Sequence, residues 1–311
     1  MLKSFDYVEN TAILATDSSL LDEERSIASS FLTEHVDGIM DQSKACPACD
    51  DLISTEFMVV LGIKYKRCNK CKSIFALVNT ELCTVYETFP KLVEFKQSSR
   101  YINSQEGKSF IWEEWLLWIH FRVARYLGRN ESLKVYDHSN TFTPFSALVK
   151  KAPFCDEYNA SFDFRGRSAD LVIYMDTISK EAEPLRVLKD LKKYMADDGI
   201  LAVGGRVGSG FDILTLKEHN RNIFPLKYVF LPSTKGFELL LNRAGYNVLE
   251  MSTPGALDVN YVLQMKDAVQ ESFLSHFLEY GDTGAFSDFQ RFLQKNGLSS
   301  YSRIIAQSRK E

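Results

Sequence analysis

Two cysteine pairs are the residues whose type and spacing predict a definite chemistry. Cys46 and Cys49 form one Cys-x-x-Cys pair, and Cys68 and Cys71 form a second. The strand-like stretch "FMVVLGIKYKR" lies between the pairs and predicts a hairpin that brings them together. Four thiolates are the ligand set of a tetrahedral Zn²⁺ site. Because four protein ligands leave no coordination position for water, we predict a structural zinc ribbon over residues 43–90.

The overall composition limits the classes of function. The 311 residues carry a formal net charge of −4 and a sequence pI near 5.8, whereas nucleic-acid binding needs clustered Lys and Arg. No apolar stretch is long enough to span a bilayer, and the N-terminus "MLKSFDYVEN" lacks the apolar region of a signal peptide. We therefore expect a cytosolic protein with no nucleic-acid or membrane partner. Cys83 and Cys155 stand alone and are expected to be ordinary buried thiols.

Strand-like and helical segments alternate after residue 128. The stretches "LKVYDH", "ADLVIYMDTI", "ILAVGGRV" and "VLEMSTP" have the composition of strands, and helical stretches such as "PLRVLKDLKKYMADDG" and "GFELLLNRAGYN" lie between them. This alternation predicts an α/β fold with a Rossmann-like doubly wound sheet, whose ligands bind at the carboxyl ends of the strands. The apolar stretch 104–128 predicts a helix packed on that sheet. The chain then divides into an N-terminal helical extension (1–42), the zinc ribbon (43–90), a helical connector (91–128), a Rossmann-like domain (129–265) and a C-terminal helical cap (266–311).

Several long stretches resemble a known family. They are the "CPAC…CNKC" ribbon, "SADLVIYMDTISKEAEPLRVLKDLKKYMADDGILAV", "NIFPLKYVFLPSTKGFELLLNRAGYNVLEMSTPGALDV" and the tail "FLQKNGLSSYSRIIA". On these residues the chain resembles class I S-adenosylmethionine-dependent methyltransferases with an N-terminal zinc-binding ribbon. This group includes sugar C-methyltransferases and relatives associated with surface polysaccharides and antibiotics. The resemblance covers most of the chain and implies S-adenosylmethionine as cofactor and a sugar-like or nucleotide-linked small molecule as substrate.

The first strand-to-helix turn, "DHSNTFT", is where the resemblance implies the cofactor site. Members of the family carry an acidic residue there, followed by a glycine-rich turn of the type E/DxGxGxG that lets the backbone approach the cofactor. Asp137 stands at the acidic position, but Ser139, Thr141 and Thr143 stand where glycines are expected. Each replacement adds a Cβ and makes positive φ costly. The cofactor would therefore bind in a modified pose, with weakened affinity, or not at all.

Two further positions are candidate cofactor ligands. The second strand of a nucleotide-binding unit usually ends in a carboxylate that accepts hydrogen bonds from ribose hydroxyls. Asp156 or Glu157 could serve in this way, and a charged turn explains them equally well. Asp176 ends the strand-like stretch "ADLVIYMD" and is the next candidate. His138, beside Asp137, is a candidate for catalysis, with a structural role as the alternative.

The resemblance also implies two Glu-His pairs for acid–base work and for substrate orientation. This chain has Ser179-Lys180 at the first place and Lys227-Tyr228 at the second. Lys180 and Tyr228 are candidate catalytic replacements, because acid–base catalysis needs a titratable side chain within hydrogen-bond reach. A tyrosine with an ordinary pKa of about 10 is nevertheless a poor base near neutral pH.

The stretch "GGRVGSGFDIL" has the glycines that the first turn lacks. A glycine-rich turn can hold an anion on its backbone N–H groups, and Arg206 could pair with a phosphate or carboxylate. Arg206 and Asp212 are therefore candidate substrate-binding residues near Tyr228, with a simple loop as the alternative.

Two functions of different classes follow from these residues. The first is methyl transfer from S-adenosylmethionine to a small molecule. The second is a catalytically inactive, methyltransferase-like protein that works as a binding or regulatory subunit beside a partner protein. The glycine-free turn and the two altered Glu-His places favour the second function, and the breadth of the resemblance favours the first.

Overall fold

The structure, a computed structural model, describes residues 2–3, 18–35, 44–106, 109–129, 132–139, 143–159 and 168–309. Its strands are β1 (Leu2–Lys3), β2 (Ser54–Val60), β3 (Ile63–Cys68), β4 (Ile74–Ala76), β5 (Leu133–Asp137), β6 (Cys155–Asn159), β7 (Ala169–Met175), β8 (Met195–Arg206), β9 (Phe230–Leu231), β10 (Tyr246–Ser252) and β11 (Tyr301–Ser308). Its helices are α1 (Ser18–Glu34), α2 (Thr80–Glu87), α3 (Pro90–Gln97), α4 (Ser99–Glu106), α5 (Ser109–Leu127), α6 (Thr143–Lys151), α7 (Pro184–Lys192), α8 (Phe211–Leu216), α9 (Thr234–Arg243), α10 (Asp258–Gln264), α11 (Ser272–Tyr280) and α12 (Thr283–Lys295).

The larger sheet has seven strands in the order β1-β10-β11-β8-β7-β5-β6. Its strands pair in parallel except β11, which runs antiparallel to both of its neighbours, β10 and β8. A parallel strand covered on both faces is apolar throughout, as in β7, where every residue from Leu171 to Met175 is buried. This sheet, with helices on both faces, is the Rossmann-like arrangement of class I methyltransferase type that the sequence predicts.

Helices cover the two faces of this sheet with different partners. On one face α5 and α6 pack through a core that includes Trp112, Trp115 and Val149. On the other face lie α7 and α9, whose buried Leu188 and Phe237 share one continuous core with the cysteine-rich segment. The helix expected over 104–128 is confirmed as α5, and it packs on the sheet as expected.

The cysteine-rich segment forms the second sheet, in the order β2-β3-β4-β9. Leu61 (φ 48°) and Gly62 (φ 80°) connect β2 to β3 with two left-handed residues, which is the pattern of a tight two-residue hairpin turn. The outer strand β9 comes from the Rossmann-like part of the chain and pairs with β4, with Ile74 opposite Leu231. The ribbon is therefore hydrogen-bonded directly to the segment that follows Lys227 and Tyr228.

One part of the C-terminal region differs from the expectation. Residues 266–311 were expected to form a helical cap, and α11 and α12 are indeed helices there. However, β11 lies in the middle of the larger sheet between β8 and β10. Every residue from Ser302 to Ala306 is buried, as in a strand covered on both faces, and the buried Arg303 is paired with Glu114 of α5. Among the described helices, none combines the length and the apolar composition that a membrane span requires.

Candidate functional site

The four cysteines of the two pairs converge on one point. Their Sγ atoms all lie within 4.8 Å of one another, with Cys46 and Cys71 3.5 Å apart and Cys49 and Cys68 3.6 Å apart. A tetrahedron with metal–sulfur bonds of about 2.3 Å has sulfur–sulfur edges of about 3.8 Å. The four side chains thus surround a space of the size that one tetrahedrally coordinated metal ion needs.

The electrostatics of this cluster also favour a cation. Hydrogen bonds with Cys46 and Ser73 lower the pKa of Cys71 to about 4, whereas burial raises the pKa of Cys49 to about 11. Without a cation, only part of the cluster is thiolate near neutral pH. A bound metal favours the deprotonated form of every ligand.

Hydrogen bonds attach the cysteine cluster to the start of α9. The Ser233 backbone N–H donates to Ser73 Oγ at 3.1 Å, and the Ser233 hydroxyl donates to the Cys71 carbonyl oxygen. Arg243 Nη1 donates to the carbonyl oxygen of Ala48 at 2.7 Å. The cysteine-rich segment is therefore bonded to both ends of α9, at its N-cap Ser233 and at its last residue Arg243.

The turn after β5 is closed by its own hydrogen bonds. Asp137 is buried, and its carboxylate accepts from the Ser139 backbone N–H at 2.9 Å and from the Tyr158 hydroxyl at 3.1 Å. The Ser139 hydroxyl accepts from the Met175 N–H at 3.0 Å, which joins the turn to the end of β7. Two of the predicted cofactor residues thus lie together at the carboxyl ends of adjacent strands, and both already have hydrogen-bond partners. Thr141 lies outside the described residues, and Thr143 is the first residue of α6.

His138 belongs to the same turn. Its backbone N–H donates to the Ile173 carbonyl oxygen at 2.9 Å, and its Nδ1 lies 3.2 Å from the Tyr136 hydroxyl oxygen. Burial lowers the pKa of His138, so the ring is neutral at pH 7. The negative charge of Asp137 opposes this shift of the His138 pKa.

The other carboxylates predicted to bind the cofactor lie in or directly after two different strands. Asp156 and Glu157 are the second and third residues of β6, and Glu157 pairs with Lys134 at 3.7 Å. Neither residue ends the strand or forms a turn, because β6 continues to Asn159, and a role of either residue in ribose binding stays a prediction. Asp176 directly follows β7 at the carboxyl edge and has a φ of 56°. A left-handed non-glycine residue costs free energy, and such residues concentrate at functional sites.

A cavity of about 780 Å³ lies at this carboxyl edge, between the helices α1 to α4 and the segment that follows β7. Residues from three regions of the chain line it: Glu24, Glu81, Cys83, Thr84, Tyr86, Glu87, Leu92, Lys96 and Tyr101 from the helices; Thr177, Lys180, Glu181, Ala182, Glu183, Arg186 and Val187 after β7; and Leu226 and Lys227. Its volume is in the range of pockets that hold a small molecule. Lys180 and Lys227 occupy the two places where the resemblance implied Glu-His pairs, so the structure brings these two places together.

Charged groups in the cavity act on one another. Lys227 Nζ donates to both carboxylate oxygens of the buried Glu24, at 3.0 and 2.7 Å. Burial opposes the charged form of Lys227, but the Glu24 carboxylate outweighs it and holds the pKa above its usual range. Burial lowers the pKa of Lys180, the carboxylates of Glu87 and Asp176 oppose that shift, and the positive charges of Lys227 and Lys96 add to it.

Tyr228 lies beside the cavity and is a poor candidate base. Burial raises its pKa, although the positive charges of Lys227 and Arg206 oppose that shift. Its hydroxyl therefore stays protonated near neutral pH, which fits a proton donor but not a base, and its catalytic role stays a prediction. Tyr228 and Lys180 both interact electrostatically with Asp176 and Lys227, so these residues are neighbours, whereas His138 stays with the turn after β5.

Arg206 and Asp212 form a buried pair behind Tyr228. Arg206 Nη2 lies 3.7 Å from Asp212 Oδ2, and the guanidinium stacks over the rings of Tyr228 and Tyr261 at 5.8 and 5.4 Å. Asp212 is fully buried and also accepts from Asn220 Nδ2 at 2.9 Å. Asp212 thus balances the charge of Arg206, but Arg206 Nη1 and Asp212 Oδ1 are buried without a hydrogen-bond partner among the described residues, so substrate binding by this pair stays a prediction.

The glycines of the stretch 204–214 are explained by packing. A Cβ on Gly204 would lie 2.6 Å from the Ser302 carbonyl oxygen, and one on Gly210 would lie 2.3 Å from Ser300 Cα. Both glycines therefore permit close approach to β11 and to the residue before it. Close packing thus accounts for Gly204 and Gly210, and an anion site at this turn stays a prediction.

The cavity residues of the N-terminal helices were missed by the sequence reasoning. Glu24, Tyr86 and Lys96 come from three helices and carry no motif. Only the buried acidic position in α1 gave a signal, because a carboxylate on the apolar side of a helix needs a partner.

Comparisons with known proteins give a limited result. No known protein-family model matches the chain, and no curated protein sequence matches it. Among solved structures, the plantazolicin methyltransferase BpumL in complex with a pentazolic desmethylPZN analog and SAH has 12% identity and a TM-score of 0.45, over 74% of this chain and 96% of that chain. Coclaurine N-methyltransferase bound to N-methylheliamine and SAH has 11% identity and a TM-score of 0.36, over 61% and 72%. A Haloferax volcanii methyltransferase in complex with the Trm112 activator has 12% identity and a TM-score of 0.41, over 67% and 96%. At these values the likeness identifies neither a reaction nor a ligand.

Proposed function

We propose that this chain is an S-adenosylmethionine-dependent methyltransferase that acts on a sugar-like or nucleotide-linked small molecule bound in the cavity. The observation that carries the proposal is the meeting of Lys180 and Lys227 in one cavity at the carboxyl edge of a Rossmann-like sheet. Ligands of such sheets bind at that edge. The turn after β5, which the resemblance identifies as the donor site, lies at the same edge.

The residues after β5 and β7 fit the donor in part. Asp137 ends β5, and Asp176 directly follows β7, the parallel strand next to it. Their carboxylates would accept hydrogen bonds from the hydroxyl and ammonium groups of S-adenosylmethionine. The Ser139 hydroxyl is bonded to the Met175 N–H, so this side chain is held against β7. When bound, S-adenosylmethionine supplies an activated methyl group. Because Asp137 is already bonded to the Ser139 N–H and the Tyr158 hydroxyl, donor binding competes with these contacts and is weakened.

The contribution of the cavity to catalysis is to position the acceptor. Lys180 and Lys227 would bind and orient it, and the packing of α1 to α4 would exclude water from the reacting atoms. Methyl transfer gains mostly from alignment of donor and acceptor, which requires little of any single side chain. The loss of the two Glu-His pairs is therefore compatible with activity.

The experiment that tests this proposal is a calorimetric titration of the full chain with S-adenosylmethionine and with S-adenosylhomocysteine. We expect dissociation constants in the micromolar range and a higher melting temperature with either ligand. An Asp137→Ala variant should lose most of this affinity, whereas an Asp156→Ala variant should keep it. If neither ligand gives heat or thermal stabilisation, the proposal is wrong.

We also propose that the four-cysteine cluster holds a structural zinc ion. The sulfur–sulfur distances and the closed set of four thiols support this proposal. Zinc binding by these four cysteines needs reduced thiols, which a reducing cytosol maintains, and on that ground we propose a cytosolic location. Elemental analysis of the purified chain should give one zinc per molecule, and a metal-free, fully folded preparation would contradict the assignment.

The hydrogen bonds within the β5 turn favour one alternative function, a methyltransferase-like protein that binds but does not catalyse. In that case the donor site would stay closed, and the cavity alone would bind a small molecule or respond to a partner protein. The titration separates the two functions, because only the enzyme binds the donor and its demethylated product.

A further inference from the structure

We propose that the cavity selects a small molecule that carries both an anionic group and a basic amine. In this proposal, Lys180 and the Tyr86 hydroxyl bind the anionic group, and Glu181 binds the amine. The inference deepens the proposed function, since it rests on the cavity as the acceptor site.

The charges that line the cavity are mostly matched within the protein. Five glutamates and four basic side chains line it, and three pairs neutralise most of them: Lys227 with Glu24, Lys96 with Glu87, and Arg186 with Glu183. Lys180 is the one basic lining residue that forms no ion pair with any residue the structure describes. Glu81 and Glu181 are the lining carboxylates left outside these pairs. The open charges of the cavity are therefore of both signs.

Lys180 is placed to bind an anion. It lies at the end of the short 3₁₀ turn Ile178–Lys180, directly after β7, and its side chain is open to the cavity. The positive charges of Lys227 and Lys96 partly offset the carboxylates of Glu87 and Asp176 that also act on it, so an anionic ligand would add a favourable contact. A charge-assisted hydrogen bond to phosphate or carboxylate is among the stronger polar contacts available to a protein.

A second, independent observation points to a ligand at the same place. Tyr86 is 2% exposed and lines the cavity, and its hydroxyl oxygen has no hydrogen-bond partner among the described residues. A buried hydroxyl without a partner destabilises the fold, and a ligand acceptor would remove that cost. The charges of Glu87 and Lys227 act on both Tyr86 and Lys180, so the two groups face the same part of the cavity.

Glu181 supplies the opposite charge one residue away. It is half-buried at the cavity wall, where burial raises its pKa and the positive charges of Lys180 and Arg186 oppose that shift. The amine of a ligand would stabilise its ionised form further. A purely anionic ligand near Lys180 would be repelled by this carboxylate. A ligand with an amine on the side of Glu181 satisfies both residues and is therefore preferred over one that carries a single charge.

Four probes separate the two charges. Glucose carries neither group, glucosamine carries the amine, glucose 6-phosphate carries the phosphate, and glucosamine 6-phosphate carries both. Calorimetric titrations of the full chain, without donor, should rank glucosamine 6-phosphate first and glucose last. The Lys180→Met change should lower the affinity for the two phosphates about tenfold, Tyr86→Phe should lower it less, and Glu181→Gln should remove the advantage of the amine.

The Lys189→Met change is the matched control, because Lys189 is an exposed lysine of α7 that does not line the cavity. It should leave all four affinities unchanged. Equal affinity for the four probes, a phosphate preference that survives Lys180→Met, or no binding of any probe at millimolar concentration would overturn the proposal. A parallel titration with S-adenosylhomocysteine tests the methyltransferase proposal itself, so failure of one proposal is distinguishable from failure of the other.

Discussion

The turn after β5 and the cavity lie at the carboxyl edge of the same sheet, and they differ in how many of their polar groups are bonded within the protein. The turn after β5 uses Asp137 and Ser139 to bond to its own chain, to Tyr158 and to β7. The cavity below α1 to α4 has about 780 Å³ of space and retains open charges. The polar groups of the β5 turn are hydrogen-bonded within the protein, whereas the cavity has polar groups that remain available to a ligand.

This difference indicates where the binding free energy of the protein resides. A ligand at the turn must replace contacts worth about 1 kcal/mol each, whereas a ligand in the cavity adds contacts that are not yet made. We therefore expect a weakly held donor and a more strongly held second ligand. The following predictions test that contrast, in order of decreasing effect.

Removal of the metal should affect the cavity and spare the turn. The ribbon strand β4 pairs with β9, which lies three residues after Lys227, so loss of zinc should disturb this wall of the cavity. We expect Cys68→Ser to abolish zinc binding and to lower the free energy of unfolding on the order of 5 kcal/mol. Zinc content and urea unfolding measure both effects. Cys155→Ser, at the start of β6, should change the zinc content not at all; equal zinc loss in both variants would contradict the prediction.

Breaking the pair between Glu24 and Lys227 should destabilise the cavity wall. Glu24→Gln leaves the Lys227 ammonium half-buried without its carboxylate, which should cost about 2 kcal/mol after allowance for partial exposure. Urea unfolding measures the loss. The neighbouring Glu23 pairs with Arg100 at an exposed place, and Glu23→Gln should cost less than about 1 kcal/mol. Similar losses for the two variants would show that the Glu24–Lys227 pair stabilises the protein no more than an exposed pair does.

Restoring glycine to the turn should improve donor binding at the expense of stability. The triple change Ser139→Gly, Thr141→Gly and Thr143→Gly removes three Cβ atoms, and we expect about tenfold tighter binding of S-adenosylhomocysteine. It also leaves the Met175 N–H without the Ser139 hydroxyl, so the free energy of unfolding should fall by about 1–2 kcal/mol. Calorimetry and urea unfolding measure the two quantities. Unchanged affinity would mean that these side chains do not limit the donor site.

The contribution of the β5 turn to the free energy of unfolding should fall at acidic pH, because of His138. Burial lowers the pKa of His138 in the folded state, so this residue contributes stability above its unfolded pKa of about 6.5, and the contribution is lost as the pH falls through the folded value. We expect His138→Gln to reduce the loss of stability between pH 7 and pH 5 by less than about 1 kcal/mol. Unfolding curves at several pH values measure it. An unchanged pH dependence of stability in the His138→Gln variant would contradict the prediction.

Local patterns predicted much of this molecule, and long-range packing decided the rest. The two Cys-x-x-Cys pairs are local signals, and the distances between their sulfur atoms agree with the site expected from spacing alone. The buried strand β7 was evident because a strand covered on both faces needs an unbroken apolar run.

The cavity could not be predicted in the same way. Four helices with ordinary surfaces enclose it, and Glu24 and Tyr86 acquire their environment only from that packing. The position of β11 was missed for a related reason, since a short apolar stretch after two helices gives no signal of the strands it will separate.

The most direct test of the account is a crystal structure of the chain grown with saturating S-adenosylhomocysteine. The account predicts electron density for the ligand at the carboxyl ends of β5 and β7, with the Asp137 carboxylate in hydrogen-bond contact with it and the cavity below α1 to α4 left open for the acceptor. Density inside that cavity instead, or an unchanged turn with no ligand density, would contradict the separation of donor turn and acceptor cavity.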